Sequence, residues 1–316
     1  MIGGQRMEIG VFLPVSGRAA GPEVLTQAAQ TAERLGYDAV WSADRVVTPW
    51  RIDTPYPYAS DNVFIVPPDR PFFDSMACLS FLAARTERVR LGISVLVLPY
   101  RHPLYWARLA TTIDHLSRGR FVMGVGIGWM REEFAALGVR YEDRGRLTDE
   151  QLEAVQVLLR EEHCTYQGEH YRFRDVSFLP KAFQEHLPIW VGGEGRPARR
   201  RAGRFGDAWF PYFVEITPGE LRDAYQDVRA AANDAGRDAD AVALTCCAAI
   251  EMTGADVAQD PRRLRGSVAQ LREALDAYRR AGVAHLALQF MVPRWPERLA
   301  QMETFAEEVL PQLRSG

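Results

Sequence analysis

The run DAVWS (residues 38–42) is apolar and is followed by a carboxylate and a cation, Asp44 and Arg45. A carboxylate at the end of a buried strand must find a hydrogen-bond partner. The arginine beside it keeps its proton at working pH, so it is a poor general base. It is suited to holding an anion or to stabilising negative charge as it develops. A second candidate is GGEGRPARRRAG, where Gly192, Gly193 and Gly195 lead into a predicted helix. The free N–H groups of such a helix start can bind phosphate. GVGIGW (residues 124–129) also ends a strand, but its alternating glycines are not a dinucleotide fingerprint. Glu132 and Glu133 stand on an opening helical turn, where acidic side chains complement the helix dipole.

Several chemistries are disfavoured. The six histidines show no HExxH or paired metal spacing and read as structural. No serine occupies a GxSxG elbow. Cys78, Cys164, Cys246 and Cys247 form no CxxC pair and read as free buried thiols. Lys181 is the only lysine, in a segment that reads as a loop. Schiff-base catalysis, which needs an activated lysine, is therefore not expected.

Strand and helix signals alternate along the chain and set where these residues stand. Strands are predicted over 8–14, 38–42, 89–98, 120–126, 188–192, 207–211, 241–252 and 285–290. Helices are predicted from Leu25 to Leu35, over 74–86 with Asp74 as N-cap, and over 104–116, 197–204, 218–235 and 296–313. Val268, Leu271, Leu275 and Tyr278 mark one face of another. Eight such units predict an α/β fold, a single (β/α)8 TIM barrel, whose site lies at the C-terminal strand ends. A doubly wound sheet needs fewer units. The candidates then gather at one end: Asp44 and Arg45 after strand two, Ser94-Val95 on strand three, Gly126 and Trp129 after strand four, the glycine loop after strand five, and Phe290 on strand eight. Two segments exceed ordinary loops. Residues 45–73 are rich in proline and aromatic side chains, and 164–180 reads as a hairpin turning at Gln167-Gly168-Glu169. One domain over 1–316 with these insertions is expected.

Composition narrows the function classes. A net charge of -3 gives no footprint for nucleic acid or an anionic membrane. No run approaches the ~20 apolar residues that span a bilayer. The N-terminus shows no apolar signal core, so a cytoplasmic location is expected. The arginine-for-lysine bias suggests a GC-rich, actinobacterial genome.

Together these segments resemble one family. VLVLPYRHPLYWARLATTIDHLSRGRFVMGVGIGWMREEFAALGV and PIWVGGEGRPARRRAGRFGDAWFP resemble the two signatures of bacterial-luciferase-like flavin and deazaflavin enzymes. DRVVTPWRIDTPYPY and YRFRDVSFLPKAF are similar to a subfamily that uses coenzyme F420. The resemblance covers roughly residues 7–290. It implies a non-prolyl cis peptide at Ser94-Val95 that backs the tricyclic ring. It implies that Asp44 helps position the cofactor, and that Gly192, Gly193 and Gly195 hold its phosphate. Gly126 and Trp129 would border the ring. Trp50, Tyr56, Trp129 and Phe290 are expected to line the substrate pocket. The sugar-phosphate dehydrogenase branch has a histidine base where this chain has Arg45. The expectation is therefore an F420-dependent oxidoreductase that passes hydride to an activated small molecule, with Arg45 and Asp44 as catalytic residues. An FMN-dependent monooxygenase is the alternative, and a cofactor-binding protein without turnover a third reading. The family's habit implies a homodimer.

Overall fold

The structure, a computed structural model, describes residues 6–59, 61–212, 216–292 and 294–314. Eight parallel strands close into a barrel: β1 (Glu8–Phe12), β2 (Ala39–Ser42), β3 (Arg90–Ile93), β4 (Phe121–Gly126), β5 (Ile189–Gly192), β6 (Ala208–Phe210), β7 (Ala243–Met252) and β8 (His285–Phe290). Each pairs with the next, and β8 returns to β1 with Glu8 opposite His285 and Val11 opposite Leu288. The barrel predicted from the alternating pattern is the fold observed.

The strand period of two divides the side chains between two apolar layers. Ile9, Val11, Val40, Leu91, Met123, Val125, Val191, Trp209, Leu286, Leu288 and Phe290 face the surrounding helices. Phe12, Ala39, Trp41, Val122, Trp190, Ala208, Phe210, Cys247 and Ala287 fill the interior. Trp41 occupies the floor, its indole over two positions where a Cβ would collide with it, Gly10 and Gly92. Its Nε1–H donates to His285 Nε2 at 3.0 Å, and its ring lies 4.5 Å from that of Phe210 and 5.0 Å from that of Trp190.

The helices form the outer layer. They are α1 (Pro22–Leu35), α2 (Ser75–Ala83), α3 (Pro103–Leu116), α4 (Arg144–Arg160), α5 (Arg196–Phe205), α6 (Pro218–Asp234), α7 (Val268–Arg280) and α8 (Trp295–Glu308). Their ends follow local chemistry. Asp74 caps α2 by accepting the Ala77 N–H, and Gly36 closes α1 at φ 84°. Capping boxes start α6 at Thr217 and Glu220 and α7 at Ser267 and Gln270. Helix α4 was not among the sequence expectations, although Leu152, Val155 and Leu158 are buried along it. Lys181 donates from Nζ to the Leu158 carbonyl at 2.7 Å and also bonds that of Glu161, capping the C-terminal end of α4.

Two long segments interrupt the alternation of strand and helix. Cys164–Gln167 and Arg172–Val176 pair as an antiparallel hairpin. Residues 45–59 and 61–73 cross the C-terminal end of the barrel with little regular structure. One isolated bridge, Ser16 to Phe72, ties the end of this segment to the loop after β1.

Candidate active site

Strand three does not run on to residue 98 as the sequence suggests. It stops at Ile93, and Leu96–Val97 resumes pairing beside β4. Between them lies the cis peptide Ser94-Val95 at the predicted position. Val95 then points across the mouth of the barrel into space left by glycines. A Cβ on Gly126 would collide with its Cγ2, one on Gly192 would stand 2.9 Å from its Cγ1, and one on Gly124 3.5 Å. Strand alternation puts all three glycines on the inner face, so Val95 sits in a cradle made of missing side chains.

Asp44 holds the resumed strand. Its carboxylate accepts the Val97 N–H at 3.0 Å and a bidentate pair from Arg101 at 2.7 and 2.8 Å. The Asp44 side chain is fully buried. Each of its oxygens is therefore engaged within the protein, and Asp44 orients the segment after Val95.

Arg45 is turned towards the insertion. It pairs with Glu133 at 2.5 Å, both side chains being almost wholly buried, and its guanidinium stacks 4.5 Å over Phe64 and 5.4 Å from Trp129. Glu133 also accepts the N–H groups of Val46 and Val47 and the Tyr100 hydroxyl. Its neighbour Glu132 accepts the N–H groups of Asp53 and Thr54 and the Thr54 hydroxyl. These two acids were read as complements to a helix dipole. The structure gives them a further task, because the short helix Arg131–Ala136 uses them to fasten the insertion over the mouth. One buried polar atom here, Arg45 Nε, has no partner among the described residues; Ser42 Oγ also has none, but alternation along β2 puts it on the outer face with Val40 and Ile93.

The insertion supplies an aromatic wall. Tyr56 packs at 5.0 Å on Trp129, 5.3 Å on Phe64 and 5.5 Å on Tyr58. Tyr58 meets Tyr212, just beyond β6, at 5.0 Å, and Tyr212 meets Phe12 at 5.7 Å. Tyr56 and Tyr212 share a hydrogen bond, and burial pushes the Tyr56 phenol up to about 12. Of the expected pocket residues, Tyr56 and Trp129 are thus brought together. Trp50 is 83% exposed on the insertion and makes no ring contact with this cluster among the described residues. Phe290 needs correcting. Alternation along β8 sends it outward against Phe305 at 5.9 Å, and Gln289 is the residue that faces inward.

The glycine loop after β5 is also fixed. Gly193 adopts φ 101° and its carbonyl accepts Trp209 Nε1–H at 2.8 Å. Gly195 precedes α5 without a side-chain cap. Pro197 has no N–H and Ala198 bonds the Gly195 carbonyl, so in the first turn the Arg196 N–H is the one open to an anion among the described residues. Arg199 bonds the Glu194 carbonyl from Nε and pairs with Asp227 through Nη1, and Arg201 pairs with Asp149. The Glu194 carboxyl is half-buried and accepts the Tyr212 N–H at 3.1 Å. Burial pushes it up to about 6. Glu194 and Arg101 were not singled out in the sequence. Each shows there only as a charged residue beside an apolar strand end.

The residues at the mouth fit a flat, anionic-tailed cofactor: a glycine cradle with Val95 in it, an aromatic wall, and an uncapped helix start. The sequence profile described as luciferase-like monooxygenase matches residues 7–287. The chain belongs to this luciferase-like family. Members of the family are oxidoreductases or monooxygenases. An uncharacterized protein of Mycobacterium tuberculosis (strain ATCC 25618 / H37Rv) is 32% identical over 236 residues, 73% of this chain and 80% of that protein. The F420-dependent glucose-6-phosphate dehydrogenase of Intrasporangium calvum is 31% identical over 222 residues, 68% of this luciferase-like chain and 60% of the relative. An F420-dependent secondary alcohol dehydrogenase, solved with an F420-acetone adduct, superposes with a TM-score of 0.78 at 17% identity, covering 98% and 99% of the two chains. At that identity the likeness is one of fold. Among the described residues no helix is long and apolar enough to cross a membrane, and no group of three or more potential ligands could hold a metal.

Proposed function

We propose that this luciferase-like chain is an F420-dependent oxidoreductase acting on an activated small molecule. The observation that carries this reading is the Val95 cradle at the barrel mouth, facing a region walled by Tyr56, Tyr58, Trp129 and Tyr212. The similarity to an F420-dependent relative supports the choice of deazaflavin. When bound, the coenzyme supplies a hydride donor or acceptor at ring carbon 5. The protein supplies position, dryness and charge.

Each residue then has a task. Ser94 and Val95 back the ring, and Gly126 and Gly192 keep the space that lets Val95 stand there. Gly193, Gly195 and the first turn of α5 hold the phosphate. Asp44 positions the Val95–Val97 segment through its bonds to Val97 and Arg101. Arg45, paired with Glu133, pins the insertion and places a cation at the edge of the mouth. Tyr56 and Trp129 face the substrate, and Trp50 stands at the exposed rim. Arg45 cannot serve as the base of a sugar-phosphate oxidation, so reduction of an electron-poor C=C, C=N or C=O group is the favoured direction.

Parallel fluorescence titrations with coenzyme F420 and FMN test this reading. Micromolar or tighter binding of F420, with FMN much weaker, is expected. The reverse preference would overturn it in favour of an oxygen-using flavin enzyme.

A further inference from the structure

Three carboxylates stand around the mouth, and their surroundings differ. Asp44 faces Arg101, and Glu133 faces Arg45. Glu194 faces no cation among the described residues. Its carboxyl accepts the Tyr212 N–H and its own backbone N–H, and Arg199 bonds its backbone carbonyl instead. The titratable groups around Glu194 come from three elements: Tyr212 after β6, Tyr56 and Tyr58 from the insertion, and Cys246 and Cys247 on β7. All are weak acids whose own ionisation is opposed by burial. None offers positive charge. Glu194 also sits between Gly193 and Gly195, on the loop proposed to hold the coenzyme, and keeps some exposure to solvent.

We propose that Glu194 is the catalytic acid–base group of this site, a carboxyl without a cationic partner held by the Tyr212 N–H beside the insertion tyrosines. The inference rests on the oxidoreductase reading above. In the reductive direction, the coenzyme when bound would supply a hydride with its two electrons to substrate carbon. The π pair of the C=O or C=N bond moves onto oxygen or nitrogen. That atom takes the proton from the Glu194 carboxyl, so one C–H and one O–H or N–H bond form. The Glu194 carboxylate recovers its proton from solvent. Its elevated affinity for a proton, at about 6, matches the demand that an acid catalyst titrate near the working pH.

The variant E194Q keeps the shape and removes the proton. Infrared difference spectra of the coenzyme-free protein between pH 4 and 8, following the C=O stretch of a protonated carboxyl, should contain one group titrating near 6 in the wild type and lost in E194Q. Stopped-flow oxidation of reduced F420 by cyclohex-2-enone, acetone or menadione should be ~10²–10⁴-fold slower in E194Q for the acceptors that need a proton. The wild-type rate should fall as pH rises through that value, and E194Q should lose this limb while binding F420 as before. The proposal is overturned if E194Q keeps the wild-type rate and pH limb, or if it removes no carboxyl titrating above pH 5. Failure of the wild-type protein to bind F420, or to pass hydride to any of the three acceptors, counts against the oxidoreductase reading instead. The infrared readout stands apart from that outcome.

Discussion

The two ends of the barrel solve the same packing problem with opposite results. At the floor, Trp41 lies over Gly10 and Gly92, and its polar atom is satisfied by His285, which in turn meets Glu8 and Arg90. At the mouth, Val95 lies over Gly126 and Gly192, but Arg45 Nε is left without a partner and Glu194 without a cation among the described residues. Both ends place a side chain where glycines have removed a Cβ. The floor spends that space on a closed network, as expected of the face that serves stability. The mouth keeps unmet polar atoms, which is where a bound molecule can be recognised.

The largest effect should come from the floor. Trp41→Ala would leave a cavity among Trp190, Phe210 and His285 and should cost roughly 3–5 kcal/mol in chemical denaturation. Its effect on F420 affinity, measured on protein that remains folded, should be small. If affinity falls as steeply as stability, the two ends are not separable. At the mouth, Glu133→Ala leaves the Arg45 charge buried and frees the Val46 and Val47 N–H groups. Release of the insertion limits that penalty, so the expected signal is local: tryptic cleavage at Arg45 or Arg51 at least about tenfold faster, in line with a local opening eased by ~1.4 kcal/mol or more. Unchanged cleavage would mean that the aromatic cluster alone holds the segment.

Two smaller effects sharpen the contrast. Gly126→Ala should push Val95 out of its cradle and weaken F420 binding by about tenfold, ~1.4 kcal/mol. Circular dichroism should show the barrel intact. Last comes the pH dependence of stability. The Glu194 carboxyl is raised from its ordinary value to about 6, so the folded state favours its neutral form. The resulting penalty is absent below the ordinary value and grows as pH rises through about 6. E194Q should match the wild type at pH 4 and exceed it by about 1 kcal/mol at pH 8, a figure reduced from the full shift because the group is partly exposed. A wild type that is the more stable of the two at pH 8 would contradict this account of the site.

The barrel was legible because its order is local. Apolar runs such as RFVMGVG and helix starts such as Asp74 carry their own periodicity and caps, and these predict seven of the eight units in full. Helix α4 was overlooked in the stretch between two conspicuous segments, the GVGIGW strand end and the hairpin. At the site, the fold brings Ser94-Val95, Tyr56 and Trp129 to the mouth. Phe290 fails by one step of strand alternation, which flips a side chain from one face to the other. The pairs Asp44–Arg101 and Arg45–Glu133 join residues 57 and 88 positions apart, and nothing in local pattern links them. Glu194 was passed over for a related reason. Its distinction is the absence of a cationic partner among the described residues, which only a folded neighbourhood can reveal.

The Val95 cradle also carries an evolutionary consequence. A recess made from glycines cannot be enlarged by any further substitution at 124, 126 or 192, since no residue is smaller. Drift at 126 or 192 can only crowd Val95, and relief there must come from position 95 itself, whereas a side chain at 124 would meet the Ile93 carbonyl. Val95→Ala should therefore act as a second-site suppressor of Gly126→Ala, restoring part of the lost binding when the two are combined. In related sequences the two positions should change together, in an order in which the larger residue shrinks first.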